Sequence, residues 1–264
     1  MLRLENISKT FNPGTINEKK ALDELSLVLN NGDFVTVIGG NGAGKSTMMN
    51  AISGAWYLDS GNIYIDDVNV TNMQEHKRAA FLGRVFQDPM MGTAADMEIQ
   101  ENLALALRRG KLRGLKWGIT KAEKELFREE LKILGLGLEN RLTNKVGLLS
   151  GGQRQALTLL MATIKKPKIL LLDEHTAALD PKTAKNVLEL SDEIIRTHNL
   201  TTMMITHNMN DAIKYGNRLI MMNNGKIVFD VSGEEKSNLT IDELIQKFSQ
   251  SSGEMLSDRT LLNN

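Results

Sequence analysis

Apolar positions along this chain keep two different periods, and the switches between them outline its organisation. Residues 2–7 and 25–29 alternate apolar with polar, as half-buried strands do, and Asn30-Asn31-Gly32-Asp33 then turns the chain into the apolar run Phe34-Val35-Thr36-Val37-Ile38. Antiparallel strands leading into a buried one are predicted. Further strands are expected at 62–65 and 83–86, and fully apolar ones at 169–172 and 202–206, the pattern of a parallel sheet covered on both faces. From about 96 to 166 the period becomes helical, as in Ile99, Leu103 and Leu107 or Leu126, Leu131 and Leu134, which predicts an all-helical insertion. Asn223-Asn224-Gly225 between two apolar runs, 218–222 and 226–229, is a hairpin signal. After Glu234 the pattern leaves one helix, at 241–248, and a polar tail. The division expected is a main domain over 1–232 and a short C-terminal helix with its tail over 233–264.

With 264 residues, 41% hydrophobic and 24% charged, the chain is long and apolar enough for one α/β domain with an inserted subdomain. Lys+Arg 32 balance Asp+Glu 32, so no general attraction to nucleic acid or anionic lipid arises and no nucleic acid partner is expected. The longest apolar stretches are strand-sized, far below the roughly 20 residues that cross a bilayer. The first residues lack the basic start, apolar core and small-residue cleavage site of a signal peptide, so a cytoplasmic location is expected. Cysteine is absent, which removes disulfides, thiolate metal sites and thiol nucleophiles.

The chemistry is concentrated in a few segments. Gly39-Gly40-Asn41-Gly42-Ala43-Gly44-Lys45-Ser46-Thr47 follows the buried run ending at Ile38 and fits G-x-x-x-x-G-K-[ST], a phosphate-binding loop. Glycines let backbone N–H groups and a helix N-terminus converge on one anion; Lys45 reaches the β- and γ-phosphates, and the Ser46 hydroxyl ligates Mg²⁺. A second segment, Ile169-Leu170-Leu171-Leu172-Asp173-Glu174, delivers adjacent carboxylates at a strand's carboxyl end, where open α/β sheets place ligands. Asp173 suits the Mg²⁺ shell, and Glu174 suits orienting the water that attacks a γ-phosphate. A third, Leu149-Ser150-Gly151-Gly152-Gln153, opens a helix with glycines, and Ser150 with the Gly151 and Gly152 N–H groups could meet phosphate oxygens. An ordinary serine cap has the same residues.

Together these segments resemble the ATP-binding cassette ATPases, the motor subunits of ABC transporters, over about residues 2–232. The resemblance implies an α/β P-loop NTPase core with a mainly parallel sheet, an N-terminal antiparallel β subdomain and an inserted α-helical subdomain. Gly39 to Thr47 is similar to Walker A, Leu149 to Gln153 to the signature sequence, and Ile169 to Asp173 to Walker B. It also picks out Gln87 in Val85-Phe86-Gln87-Asp88-Pro89 as the Q-loop residue, Asp180 in Ala178-Leu179-Asp180 as the D-loop and His207 as the switch histidine. Implied catalytic residues are then Lys45, Gln87, Glu174 and His207, and implied metal ligands Ser46, Gln87 and Asp173. Nucleotide contacts would come from Phe11 against adenine, Gly39, Asn41, Gly42, Ala43, Gly44, Lys45, Ser46 and Thr47, and from Ser150, Gly151, Gly152, Gln153 and Asp180. The implied working unit is a head-to-tail homodimer sandwiching ATP and Mg²⁺, attached to the inner face of the membrane through a permease. The rival within the resemblance is a soluble cassette ATPase acting on ribosomes, DNA or cluster assembly.

Several features stay outside that pattern. Many relatives carry Pro after the catalytic Glu, where this chain has His175, an ionisable ring able to perturb the carboxylate's pKa. Asp-Glu-His-Thr-Ala-Ala-Leu-Asp and Gln-Asp-Pro-Met-Met-Gly-Thr-Ala resemble a subgroup working with branched-chain-amino-acid-type permeases and lipoprotein binding proteins, which implies a small solute such as an amino acid. Arg108, Arg109, Lys111, Arg113 and Lys116 read as a solvated basic face, and the pairs Met48/Met49, Met90/Met91 and Met203/Met204 as core.

Overall fold

A computed structural model describes residues 1–111 and 118–252; Arg113, Lys116 and the end of the polar tail lie outside the described residues. In chain order the elements are β1 (Leu2–Phe11), β2 (Lys19–Leu29), β3 (Phe34–Gly39), α1 (Lys45–Ser53), β4 (Ser60–Ile65), β5 (Val68–Asn69), α2 (Glu75–Arg78), β6 (Leu82–Val85), α3 (Ile99–Leu107), α4 (Lys121–Lys132) and α5 (Gly151–Thr163). After them come β7 (Ile169–Asp173), α6 (Pro181–His198), β8 (Thr202–Ile205), α7 (Met209–Lys214), β9 (Arg218–Asn223), β10 (Lys226–Ser232), α8 (Gly233–Ser237) and α9 (Ile241–Ser252). None of these helices is long and apolar enough to cross a membrane. The chain forms two compact units, one of Met1–Arg78 with the chain from Asn199 onward, the other of Ala79–His198.

In the first unit β1 runs antiparallel to β2 and to β4, with β5 at the edge beyond β4. A second set places β3 between β8 and β9, parallel to both, so that Val37 stands opposite Ile205 and Ile220. β10 adds antiparallel to β9 through the expected hairpin: Asn224 (φ 46°) and Gly225 (φ 77°) both take the left-handed region, which an Asn-Gly tight turn requires. All six residues of β3 are buried, as their unbroken apolar run requires. Helices α7 and α9 cover this sheet, with Ile38, Met209, Leu219, Met221, Leu244 and Phe248 in one core cluster.

In the second unit β6 and β7 pair in parallel, Val85 opposite Leu172. Between them the described residues form helices and short 3-10 turns, with one isolated bridge between Glu98 and Lys145. Thr120 opens α4 with a capping box: its hydroxyl accepts from Glu123 N–H at 3.1 Å, and the Glu123 carboxylate accepts from Thr120 N–H at 2.7 Å. The Thr120 N–H holds the Glu123 carboxyl below its ordinary pKa.

Four readings change. Leu126 is 40% exposed while Phe127 and Leu131 are fully buried, because a five-residue step swings about 140° around a helix and leaves the stripe to the four-residue pair. Met48, Met49, Met203 and Met204 are core residues, but Met90 and Met91 stand 48% and 69% exposed after β6. Two helices, α8 and α9, replace the one expected after Glu234, with Thr240 restarting the helix by donating and accepting hydrogen bonds with Glu243. The basic cluster is not one solvated face: Arg108 pairs with Glu123 at 2.8 Å, and Arg109 turns inward to donate to the Ala162 carbonyl at 3.2 Å.

Candidate functional site

Parallel strands end side by side, so residues far apart in sequence arrive together. In the first unit β3 and β8 are neighbours, and Gly39 to Thr47 leaves the end of one beside His207 at the end of the other, with Thr206 N–H donating to Val37 O at 3.2 Å. Lys45, 5% exposed, folds back so that Nζ donates to the Gly39 and Gly40 carbonyls at 2.7 and 3.1 Å. Gly44 caps α1 at φ 104°, and a Cβ there would meet Ala21 O at 2.5 Å and Gly225 Cα at 3.3 Å. Only glycine fits this seat. The hairpin turn also braces the loop from behind, Gly225 N–H donating to Ala43 O at 3.0 Å. Asn41, Gly42 and Ser46 stay exposed, the last on the first turn of α1, while Thr47 is buried.

Two flanking groups complete this side. Phe11 ends β1 opposite Lys19 and is half-buried rather than core; its ring meets Trp56 edge-on, 4.8 Å between centroids and 75° between planes. Lys19 reaches over the loop, where a Cβ on Gly42 would stand 2.5 Å from its Nζ. His207 is exposed, and the following Asn208 caps α7 through N–H groups of Asn210 and Asp211 at 2.8 and 3.2 Å.

The second unit repeats the device. Gln87, exposed just beyond β6, and Asp173 with Glu174 at the end of β7 leave the same edge of a parallel pair. Arg84 on β6 bonds Asp173 Oδ2 at 3.0 Å and lies 4.6 Å over the Phe86 ring. Ser150 caps α5, its Oγ accepting from Gln153 N–H at 3.3 Å while Gln153 Oε1 accepts from Ser150 N–H at 3.2 Å. Capping uses the acceptor side of the hydroxyl and leaves its proton for an anion, alongside the Gly151 and Gly152 N–H groups that no intrahelical bond can use. A Cβ on Gly152 would stand 2.2 Å from Thr183 Cγ2, so a side chain there would require Thr183 to turn away. Asp180 opens α6 by accepting from Thr183 N–H at 3.1 Å, and the Thr183 side chain and backbone hold its carboxyl below the ordinary value.

His175 departs from expectation. Its ring is 2% exposed, and burial pushes its pKa down to about 4, so it is neutral at pH 7 and brings no positive charge beside Glu174. Residues that sequence reading missed are Arg84, Trp56 and Lys19; no local motif marks them, because each acts on a partner distant in sequence. Mg²⁺ takes hard oxygen donors, and the Ser46 hydroxyl and Asp173 carboxylate are of that kind. No group of three or more His, Cys, Asp or Glu able to hold a metal occurs among the described residues.

Residues 22–177 match the family model described as ABC transporter. The chain is 48% identical over 249 residues to a tyrosine transport ATP-binding protein of Clostridioides difficile (strain R20291), covering 94% of this chain and 98% of that protein. It is 35% identical over 232 residues to the methionine import ATP-binding protein MetN of Bartonella henselae, covering 86% of this chain and 64% of that longer protein. Among solved structures it is similar to the dimeric ATP-binding cassette MJ0796 in a post-hydrolysis state bound to ADP and Pi, with a TM-score of 0.74 and 30% identity over 88% of this chain and 98% of that one.

Proposed function

This chain belongs to the ABC transporter family of ATP-binding cassette ATPases, and we propose on that footing that it is the ATP-hydrolysing subunit of an importer for a small solute, an amino acid by class. The observation that carries the reading is the delivery of a phosphate loop with His207, and of Gln87 with Asp173 and Glu174, each by a pair of parallel strands ending together. Near full-length identity of 48% to a tyrosine transport ATP-binding protein supports amino acid import over the soluble alternative.

Phosphoryl transfer to water asks a protein for positioning and charge rather than covalent chemistry. The loop N–H groups and Lys45 bind the β- and γ-phosphates, so Lys45 must exchange its two loop carbonyls for phosphate oxygens when ATP enters. Glu174 accepts a hydrogen bond from the attacking water, aligning its lone pair with the γ-phosphorus as the bond to the bridging oxygen breaks. His207 and Gln87 contact the γ-phosphate side and report its presence. Ser46, Gln87 and Asp173 would be the ligands for Mg²⁺, which would supply neutralising charge on the phosphate oxygens. Phe11 provides a face for adenine, with Trp56 setting its tilt. Ser150, Gly151, Gly152, Gln153 and Asp180 serve the nucleotide of a second copy, so that ATP closes a homodimer and hydrolysis opens it, moving a separate permease supplied by a lipoprotein binding protein.

Affinity purification of the tagged chain from gently solubilised membranes, with mass spectrometry and phosphate-release assays on wild type, K45A and E174Q, tests the reading. Stoichiometric recovery of a multi-spanning permease with turnover abolished in both variants is expected. Recovery with ribosomes or nucleic acid overturns import, and wild-type turnover in K45A overturns the site.

A further inference from the structure

Glu174 holds a backbone φ of 47°, the left-handed region, which costs a side-chain-bearing residue energy and persists only where the surroundings fix it. Two fixtures are visible. The Ala177 N–H donates to Glu174 O at 3.0 Å, closing a tight turn. The next residue, His175, points away from solvent, with Nε2 3.0 Å from Ser191 Oγ on α6. Ser191 is itself 1% exposed and donates its hydroxyl to the Val187 carbonyl at 2.7 Å.

A serine hydroxyl carries one proton. Since that proton is spent on Val187, Ser191 Oγ can only accept from the ring, so His175 Nε2 bears the hydrogen and the tautomer is set. The chain Glu174–His175–Ser191–Val187 thus fastens the loop after β7 to the body of an 18-residue helix. We infer that His175 is a positioning residue for ATP hydrolysis: bonded to Ser191, its buried ring fixes the turn at Glu174 and so the direction of the carboxylate that polarises the attacking water. This rests on the reading of Glu174 as the carboxylate in contact with that water.

The lever is short and sensitive. A tilt of about 10° at the Glu174 backbone sweeps a carboxylate about 4 Å from its Cα through about 0.7 Å, and a misplacement near 1 Å costs roughly a hundredfold in rate. Packing alone would not require a polar ring here: an apolar side chain of that size fills the same space, but leaves the Ser191 oxygen without the ring N–H.

The test compares steady-state ATP hydrolysis, equilibrium ADP binding and thermal midpoints of the full-length wild type, S191A, H175A, H175Q and E174Q. Loss of about tenfold in kcat for H175A and about threefold for S191A, at KM and ADP affinity within about twofold of wild type, is expected for an interaction used in the transition state. H175Q, whose amide can also donate to Ser191, should recover kcat to within about threefold. A lowered thermal midpoint with unchanged kcat in H175A, or a kcat loss matched by an equal loss of ADP affinity, overturns the inference. S191A removes one oxygen atom and decides the matter should H175A fail to fold. Wild-type turnover in E174Q removes the underlying reading, a result distinct from inactive E174Q beside fully active H175A and S191A, which defeats the positioning role alone.

Discussion

Arg78 ends α2 with its side chain 1% exposed, and its guanidinium is surrounded by main-chain oxygens. Nε donates to Met73 O at 2.8 Å, Nη1 to Ala51 O at 2.6 Å and Ile52 O at 3.0 Å, and Nη2 to Thr71 O at 2.8 Å. Ala51 and Ile52 lie in the last turn of α1, the helix whose first turn carries Lys45, so a cation sits at the negative end of that helix dipole. Burial pulls the Arg78 pKa down from its ordinary value, yet an arginine so bonded stays charged. Replacing it with Met keeps most of the volume and removes every donor. The Ala51 carbonyl also receives the Gly54 N–H at 3.2 Å, so at most three carbonyls are stranded. At about 1–2 kcal/mol for each acceptor left unpaired, R78M should lose about 3–6 kcal/mol. R78K keeps the charge but not the planar fork and should lose about 1–2 kcal/mol. Urea unfolding followed by circular dichroism reads this directly: with a slope of about 2–3 kcal/mol/M, the R78M midpoint should fall by about 1–3 M. A midpoint within about 0.3 M of wild type, under 1 kcal/mol on that slope, would refute the argument and mean that water satisfies those oxygens.

The remaining predictions follow from the loop and the buried histidine. Gly44→Ala sets a Cβ 2.5 Å from Ala21 O at φ 104°, and because the strain of about 1–3 kcal/mol must be relieved by moving the helix cap, ATP affinity should fall at least about tenfold in a fluorescent-nucleotide titration. Wild-type affinity in G44A would show that the loop does not need this seat. For His175, the folded pKa of about 4 lies below the ordinary 6.5, so the unfolded chain binds a proton first as pH falls. Stability from this group is complete above pH 6.5 and drains away down to about pH 4, a loss of about 3 kcal/mol. H175Q should unfold with that part of the pH slope missing, and an unchanged slope would contradict the burial argument.

How far the sequence could be read follows from where each group finds its partners. The phosphate loop was legible because it makes its own bonds: Lys45 returns to carbonyls five and six residues back, and glycine spacing encodes the turn. Gln87 and His207 were legible through the family resemblance, which points to Val85-Phe86-Gln87-Asp88-Pro89 and to Thr206-His207, each just past an apolar run. β5 was not, since two residues at a sheet edge leave no period to detect. Arg78 was equally hidden. Within Glu75-His76-Lys77-Arg78 the charges look like an ordinary solvated helix end, and Glu75, His76 and Lys77 are indeed exposed. What singles out Arg78 is the end of α1, whose open carbonyls lie 26 and 27 residues earlier in the chain. The same holds for His175, whose partner Ser191 is 16 residues on and shows no motif. Groups that would touch nucleotide are constrained by the ligand's shape and so recur in readable spacing, whereas groups that hold them in place answer to whichever backbone oxygen or hydroxyl the tertiary fold brings near. The supports of such a site are therefore found by tracing, from each readable residue, the next buried polar atom behind it.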